Sequence, residues 1–533
     1  MNSPNSSAQK FTTSTYSLVS WIFIIGSVLL LIAKVVLKIK DGLFFDDTYM
    51  FVRYADNIIK YGNYGWNAGE HTYGCTNIPF TYFIVVLKLL HLDKLFGLST
   101  MLLLACLFWA VASLLLLYKT ILLLTRNTFF DQPLLVTLLI CLISVTDVFS
   151  YNVITGMDTM MSVFFNTLMV YLLLNYLSKP SRLNFILSVF FSYFIFLLRP
   201  DCGIYTVLLP FLFLWEAKIP FKKIIVFYVG IVFLLALDSF IKYTYFGNVL
   251  PLPFYIKKGG FYTGYIGRSL WNPLTYTFDF LFEFSFVVFL LFLFVTKKAL
   301  RKFLVFAVPV IVGIMYYFTV VQIMGHNSRY YLPSMPFWVI GAVYGLREIK
   351  SFNLVQQKIL LPVLFTAALL LIQSLAPLYK IYVDKKTKQE AAAFQLPASD
   401  SSIVCKKLGY NEMVQKALKL MTVLPDSTTI AATEHGYISA FLPGKKILDL
   451  CGLHDLDIAV HGYRDDVLAK WKPEIIWLPA TDYTSLRKNV ITGTNFKELY
   501  TYLPGALNYG IGVLKTSPNH DAIINKVMEL NCQ

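Results

Sequence analysis

Apolar runs near the length of a bilayer span recur along residues 18–378, and no other feature constrains the fold of this chain more. They fall near 18–37, 99–118, 133–151, 159–177, 183–198, 203–215, 224–241, 275–296, 303–323, 331–346 and 359–378. Roughly 20 apolar residues are needed to cross the hydrocarbon core, so eleven spans are expected. With 57% of residues hydrophobic and 14% charged, an ordinary soluble enzyme and a disordered chain are both excluded. The segment Ile78–Leu90 is also apolar, but it is short and contains Lys88. A helix lying in the membrane interface suits it better than a span.

The formal charge of +15 does not indicate a nucleic-acid partner. Residues 379–533 hold 18 Lys+Arg against 16 Asp+Glu, so the excess sits among the apolar runs. There it follows the accumulation of Lys and Arg in short cytoplasmic loops. If 78–90 does not cross and the N-terminus is cytoplasmic, five inside loops carry fourteen basic residues, from Lys119 and Arg126 to Arg347, Lys350 and Lys358. Lys34, Lys38 and Lys40 run against this bias and are expected to snorkel to the interface. The polar residues 1–16 lack the basic region and cleavage site of a signal peptide and are read as a short cytoplasmic N-terminus.

Beyond 378 the hydrophobic stretches shrink to strand length, as in TTIAAT, KKILDL and PEIIWLP, and alternate with helical stretches at 411–422 and 464–470. A C-terminal soluble α/β domain at 379–533 is expected, placed outside the cytoplasm by an odd number of spans. Residues 17–378 form the membrane module, with its first outer loop at 41–98. The seven cysteines show no CxxC pair and no zinc or disulfide-scaffold spacing.

Polar clusters gather in the outward loops. The first holds Asp46 and Asp47, then Arg53, Tyr54, Trp66 and Asn77. Paired carboxylates at a membrane surface can have their ionisation tuned by burial and by neighbours, although Asp46 or Asp47 could equally cap the helix that starts there. The other loops contribute Asp158, Arg199 with Asp201, Asn248 with Lys257 and Lys258, and His326 with Arg329. Interface anchoring for the arginines and helix capping for Asp158 are the plainer roles. His435 and His454 in the last domain are read as turn and capping groups. Asp238, Asp279 and Glu283 are the charges within spans that a transport pathway would use.

The segment DDTYMFVRYADNIIKYGNYGWNAGEHTYGCTN at 46–77 resembles the membrane-embedded type C (GT-C) glycosyltransferases that use polyprenyl-phosphate sugars, most closely the mycobacterial terminal arabinofuranosyltransferase group. TGMDT at 155–159, RPD at 199–201, YFGNVLPLPFY at 245–255, RYYLP at 329–333 and the stretch 425–453 are similar to further parts of that family. Cys75 and Pro253 depart from its pattern and leave the sugar and acceptor open. The resemblance implies a polytopic α-helical GT-C-like membrane protein of about 11 transmembrane helices in the inner membrane, with its active site extracytoplasmic. It would transfer a sugar from a polyprenyl-phosphate donor to an envelope glycan or glycolipid.

A first-loop carboxylate is then the expected base, placed on Asp46 with Asp47 beside it. Such a donor already carries a phosphate leaving group, so a base and a cation suffice. Arg53, Lys257, Lys258 and Arg329 are the expected phosphate partners; Tyr54, Trp66 and Asn77 would line the sugar site. No cofactor and no metal is expected, a divalent ion held by Asp46, Asp47 and Asp158 being the alternative. A lipid-linked sugar flippase and a non-catalytic envelope assembly protein are the competing functions.

Overall fold

A computed structural model describes residues 6–41, 45–126, 133–258, 260–266, 271–286, 296–320, 322, 325–348, 405–426 and 428–531. The chain divides into two compact units. One comprises the described residues of segments 1–42, 99–236 and 270–395; the other those of 43–98, 237–269 and 396–533. This partition differs from the one expected from sequence, in which 41–98 belongs with the apolar runs. The reason is a set of hydrogen bonds from the helix Asp46–Tyr61 and the loop after it to the C-terminal segment, described below.

The first unit is helical. Among the described residues five helices are long and apolar enough to cross a membrane: Ser20–Ile39 within the helix Ser6–Asp41, Leu98–Thr125, Thr159–Ser178, Phe221–Phe246 and Lys297–Tyr317. A sixth arises if Pro133–Val145 and Asp147–Val153, bent by 66°, count as one span. The bend is built by Thr146, whose hydroxyl accepts the Phe149 amide (3.3 Å) and starts a new helix.

Of the eleven expected spans, five or six are shown by length and composition among the described residues. Arg182–Leu198, Gly203–Glu216, Trp271–Glu283 and Met335–Leu346 are helices of 17, 14, 13 and 12 residues. At about 1.5 Å per residue each is shorter than a roughly 30 Å hydrocarbon core. The run 359–378, the first residues of the expected soluble domain (379–404) and Cys532 lie outside the described residues. From Ser6 the polar N-terminal residues are helical and continuous with the first apolar run, in the helix Ser6–Asp41.

Within the apolar helices the hydroxyls of Ser113, Thr120 and Thr125 donate to the carbonyls of Trp109, Leu116 and Ile121 at 2.6–2.9 Å. Their polar groups are thereby satisfied inside the helix. Lys34 also has a partner, the Ser150 hydroxyl at 2.5 Å, which explains a charge that loop statistics leave anomalous.

The second unit is built on a five-stranded mixed sheet. Its strands are β1 (Thr429–Ala432), β2 (Lys446–Asp449), β3 (Ile475–Trp477), β4 (Tyr500–Leu503) and β5 (Ile511–Leu514), in the order β2-β1-β3-β5-β4. β1 pairs in parallel with β2 and β3, whereas β5 runs antiparallel to β3 and β4. β1, β2 and β3 match the three expected strands; β4 and β5 are additional. Amphipathic helices complete the core, as where Tyr410–Met421 buries Met413, Val414, Ala417, Leu420 and Met421. Ile78–Leu89 is a 12-residue helix of this unit, too short to span, as expected for that segment.

β2 is an edge strand, and the loop after the helix Asp46–Tyr61 covers it. The Asn67 side chain accepts the Ile447 amide (2.9 Å) and donates to the Ile447 carbonyl (3.2 Å), pairing with the strand as another strand would. The Trp66 indole donates to the same carbonyl at 3.1 Å. The register Ala432↔Asp449 then sets Thr433–His435 and Asp449–His454 beside each other, past the C-terminal ends of two parallel strands. In open α/β sheets that is the usual location of a ligand site.

Candidate functional site

Asp46 opens the helix Asp46–Tyr61 but does not cap it. The N-cap is Phe45, whose side chain makes no capping bond. Instead the buried Asp46 carboxylate accepts the amides of Gly436 (2.8 Å) and Tyr437 (2.9 Å), in the first turn of the helix Gly436–Phe441. Gly436 is required there, because a Cβ at that position would overlap the Asp46 backbone carbonyl. Burial pushes the Asp46 carboxyl above the ordinary range, against the pull of His435 and the two amides. Each carboxylate oxygen retains a second lone pair, so Asp46 can still accept a proton. Asp47, its half-buried neighbour, lies in the same first turn.

His435 sits between two carboxylates. Its Nε2 is 3.1 Å from Asp449 Oδ1 and its Nδ1 is 3.8 Å from Asp46 Oδ2. Burial alone would lower its pKa, but Asp449 and Asp46 overcome this and lift it to about 9, so the ring is cationic at neutral pH. Burial would raise Asp449, yet His435 and the Cys451 amide hold it below its usual value. Half-buried Glu434 is raised by desolvation and by Asp46.

His454 behaves in the opposite sense, lowered to about 3 by burial and by the charge on His435. It stacks on Trp66 with ring centroids 3.9 Å apart and 8° between planes. The Tyr54 hydroxyl accepts the Gly74 amide (3.1 Å) and so donates to His454 Nδ1 (3.0 Å). Nε2 then carries the proton and faces the Met50 sulfur at 2.9 Å, a tautomer assigned from the network. A Cβ on Gly74 would overlap both the His454 nitrogen and the Tyr54 hydroxyl.

One set of groups among the described residues could hold a metal: His435, Asp449 and His454, with ligand atoms within 4.8 Å of one another. Their present bonds favour a charge-compensated pair. Asp449 accepts the amides of Cys451 and His454 at 2.8 Å each and faces cationic His435. His454 Nδ1 is held by Tyr54.

Other expected site residues take structural places. Arg53, expected to hold phosphate, is buried; it donates through Nε to Trp66 O (2.8 Å), through Nη1 to Pro443 O (2.6 Å) and through Nη2 to Lys445 O (2.7 Å). All three nitrogens clamp backbone. Trp66 is buried behind His454, and Asn77 caps the helix Ile78–Leu89 by accepting the Phe80 amide (2.9 Å). Asn248 braces its own turn by donating to Leu250 O (2.6 Å). Lys257 is half-buried on the helix Leu252–Lys258, and the Lys258 side chain lies outside the described residues.

The remaining candidates belong to the first unit, except Asp238, which falls in the second. Arg199 forms a bidentate pair with Asp201 (3.1 and 2.7 Å), and the Tyr317 hydroxyl donates to the same carboxylate at 2.9 Å. Burial would raise Asp201, but Arg199 and Tyr317 hold it low. Arg199 and Arg329 lie 5.4 and 5.5 Å from the Tyr330 ring centroid. Buried Asp158 stands at the N-cap of Thr159–Ser178 without a side-chain capping bond, and His326 is exposed. Of the charges within spans, Asp238 pairs with Lys242 (2.7 Å) and Glu283 accepts the Val148 amide (2.7 Å).

His435 and His454 are legible only as loop residues beside short strands; Asp449, Glu434 and Asn67 carry no separate signal. Cys405 is disulfide-bonded, which the cysteine spacing did not suggest. Compared with known proteins, the chain matches no family model and no curated relative.

Proposed function

We propose that this chain is a membrane-embedded glycosyltransferase that moves a sugar from a polyprenyl-phosphate donor to a glycan or glycolipid acceptor, with Asp46 as general base. The observation that carries the reading is the state of Asp46: buried, displaced upward in pKa, fixed by two amides and 3.8 Å from a cationic His435. A base displaced toward neutrality suits abstraction of a hydroxyl proton. The acceptor oxygen attacks the anomeric carbon, the bond from that carbon to the phosphate oxygen breaks, and the hydroxyl proton passes to Asp46. Polyprenyl phosphate departs with its own charge, so no strong acid is required. Lys257 is assigned as phosphate partner in this unit. The mechanism assigns no role to a metal or cofactor.

We further propose eleven spans in an inner membrane, with the second unit on the outer face. The disulfide at Cys405 supports this placement, because disulfides persist in oxidising compartments. In a cysteine-free background, cysteine at exposed Lys298 should be protected from an impermeant thiol reagent in intact cells, and cysteine at exposed Lys472 labelled. The opposite pattern would overturn the topology.

Purified full-length protein incubated with a panel of polyprenyl-phosphate sugars and envelope glycans should release polyprenyl phosphate and extend the acceptor. Movement of intact lipid-linked sugar across a vesicle membrane, without cleavage, would replace this reading with the flippase.

A further inference from the structure

The second unit contains a cleft of about 320 Å³ whose lining includes Glu70, Asp455, Asp457, Lys470, Trp471 and His454. That volume is at the lower end of the range for small-ligand sites. Asp457 is paired with Arg464 at 3.0 Å, which leaves Glu70 and Asp455 facing one lysine, a balance that favours a neutral ligand bearing hydroxyl groups over phosphate. Asp455 Oδ1 accepts the Ile458 amide at 2.9 Å, while no hydrogen bond is described for its Oδ2. Glu70 is held by the Asn67 amide groups at 3.2–3.3 Å, yet a carboxylate has about four acceptor sites. Half-buried Trp471 offers an aromatic face for the C–H side of a sugar ring.

The cleft shares a wall with the Asp46 network. His454 lines it, the His454 and His435 ring centroids are 5.1 Å apart, and His435 reaches Asp46 at 3.8 Å. We propose that the cleft is the subsite for a neutral sugar of the acceptor glycan next to the one that reacts, an assignment that rests on the glycosyltransferase reading. A ring held against Trp471 by Asp455 and Glu70 would stand two side chains from the base, so that the following ring, and not this one, presents its hydroxyl to Asp46. The donor sugar shares this hydroxyl chemistry, but its phosphate would enter a field of carboxylates.

The test uses full-length protein and two substitutions. Asp455→Asn retains a capping side chain, and Trp471→Ala removes the stacking face. Each should raise acceptor KM roughly tenfold, the loss of one charged hydrogen bond or stacked ring, with donor KM moving less than about twofold. A rise confined to donor KM would place the donor sugar here and overturn the proposal, as would unchanged values for both. Saturation-transfer NMR with a panel of methyl pentosides and hexosides supplies an arm independent of transfer. Signals present in the wild type and lost in both variants would support a sugar subsite even if no lipid-phosphate donor is used. Signals that survive in both variants, or none from the wild type, would overturn it.

Discussion

Each unit buries an arginine or histidine against carboxylates, but the two clusters settle in different states. In the first, Arg199, Asp201 and Tyr317 form a closed set in which Asp201 is held low and nothing is left near neutrality. In the second, Asp46 and Glu434 are pushed up, His435 is lifted to about 9 and His454 is lowered to about 3. Burial is common to both. The difference is stoichiometry: one guanidinium in bidentate contact satisfies Asp201, whereas His435 is shared among Asp449, Asp46 and Glu434. Shared compensation leaves groups displaced toward neutral pH, the condition for proton transfer.

Breaking the closed cluster should have the largest effect on stability. Asp201→Asn leaves Arg199 buried without its counter-charge and should cost about 3–5 kcal/mol, read as a loss of thermal stability in detergent. A loss below about 1 kcal/mol would mean that Arg199 finds another partner.

The shared cluster should reveal itself through pH. His435 has a folded pKa of about 9 against an unfolded value near 6.5. Its contribution is therefore fully present below about 6.5 and disappears as pH rises through 9. The stability gap between wild type and His435→Gln should be about 2–3 kcal/mol at pH 6 and close by pH 10. His454 works in reverse: its folded value of about 3 means that the unfolded chain takes up a proton first as pH falls below 6.5. His454→Gln should flatten the acid side of the stability profile. A gap for His435→Gln that does not vary with pH would show that the histidine is neutral.

Gly74→Ala should sharpen the comparison by attacking geometry without changing charge. Its methyl group would overlap His454 Nδ1 and the Tyr54 hydroxyl, costing about 1–3 kcal/mol; a neutral result would mean that the loop shifts freely. Asn77→Ala, which removes the cap from Ile78–Leu89, should cost about 1 kcal/mol. A larger loss would point to a further role for that amide.

The two regions were also unequally legible in the sequence. Apolar length revealed the helical unit and three strands of the sheet, because hydrophobic period is a local property. It does not fix the number of spans, since Arg182–Leu198 and Met335–Leu346 are apolar yet short. Asp46, Tyr54 and Trp66 were marked by their cluster, but their partners were not. His435, Asp449 and His454 lie about 370–410 positions further along the chain and reach Asp46 and Trp66 only through the β1–β2 register and the pairing of Asn67 with Ile447. Arg53 was misassigned because an arginine beside carboxylates reads as a ligand group, while its role as a backbone clamp depends on carbonyls at 443 and 445.

The central claim is that Asp46 accepts the acceptor proton. The most direct measurement is the pH profile of transfer by wild type and Asp46→Asn, both verified as folded. The wild-type rate should rise along a limb set by a group above the ordinary aspartate range, and the variant should lose about 10²–10⁴ in rate together with that limb. Full activity in Asp46→Asn, or an unchanged limb, would contradict the account.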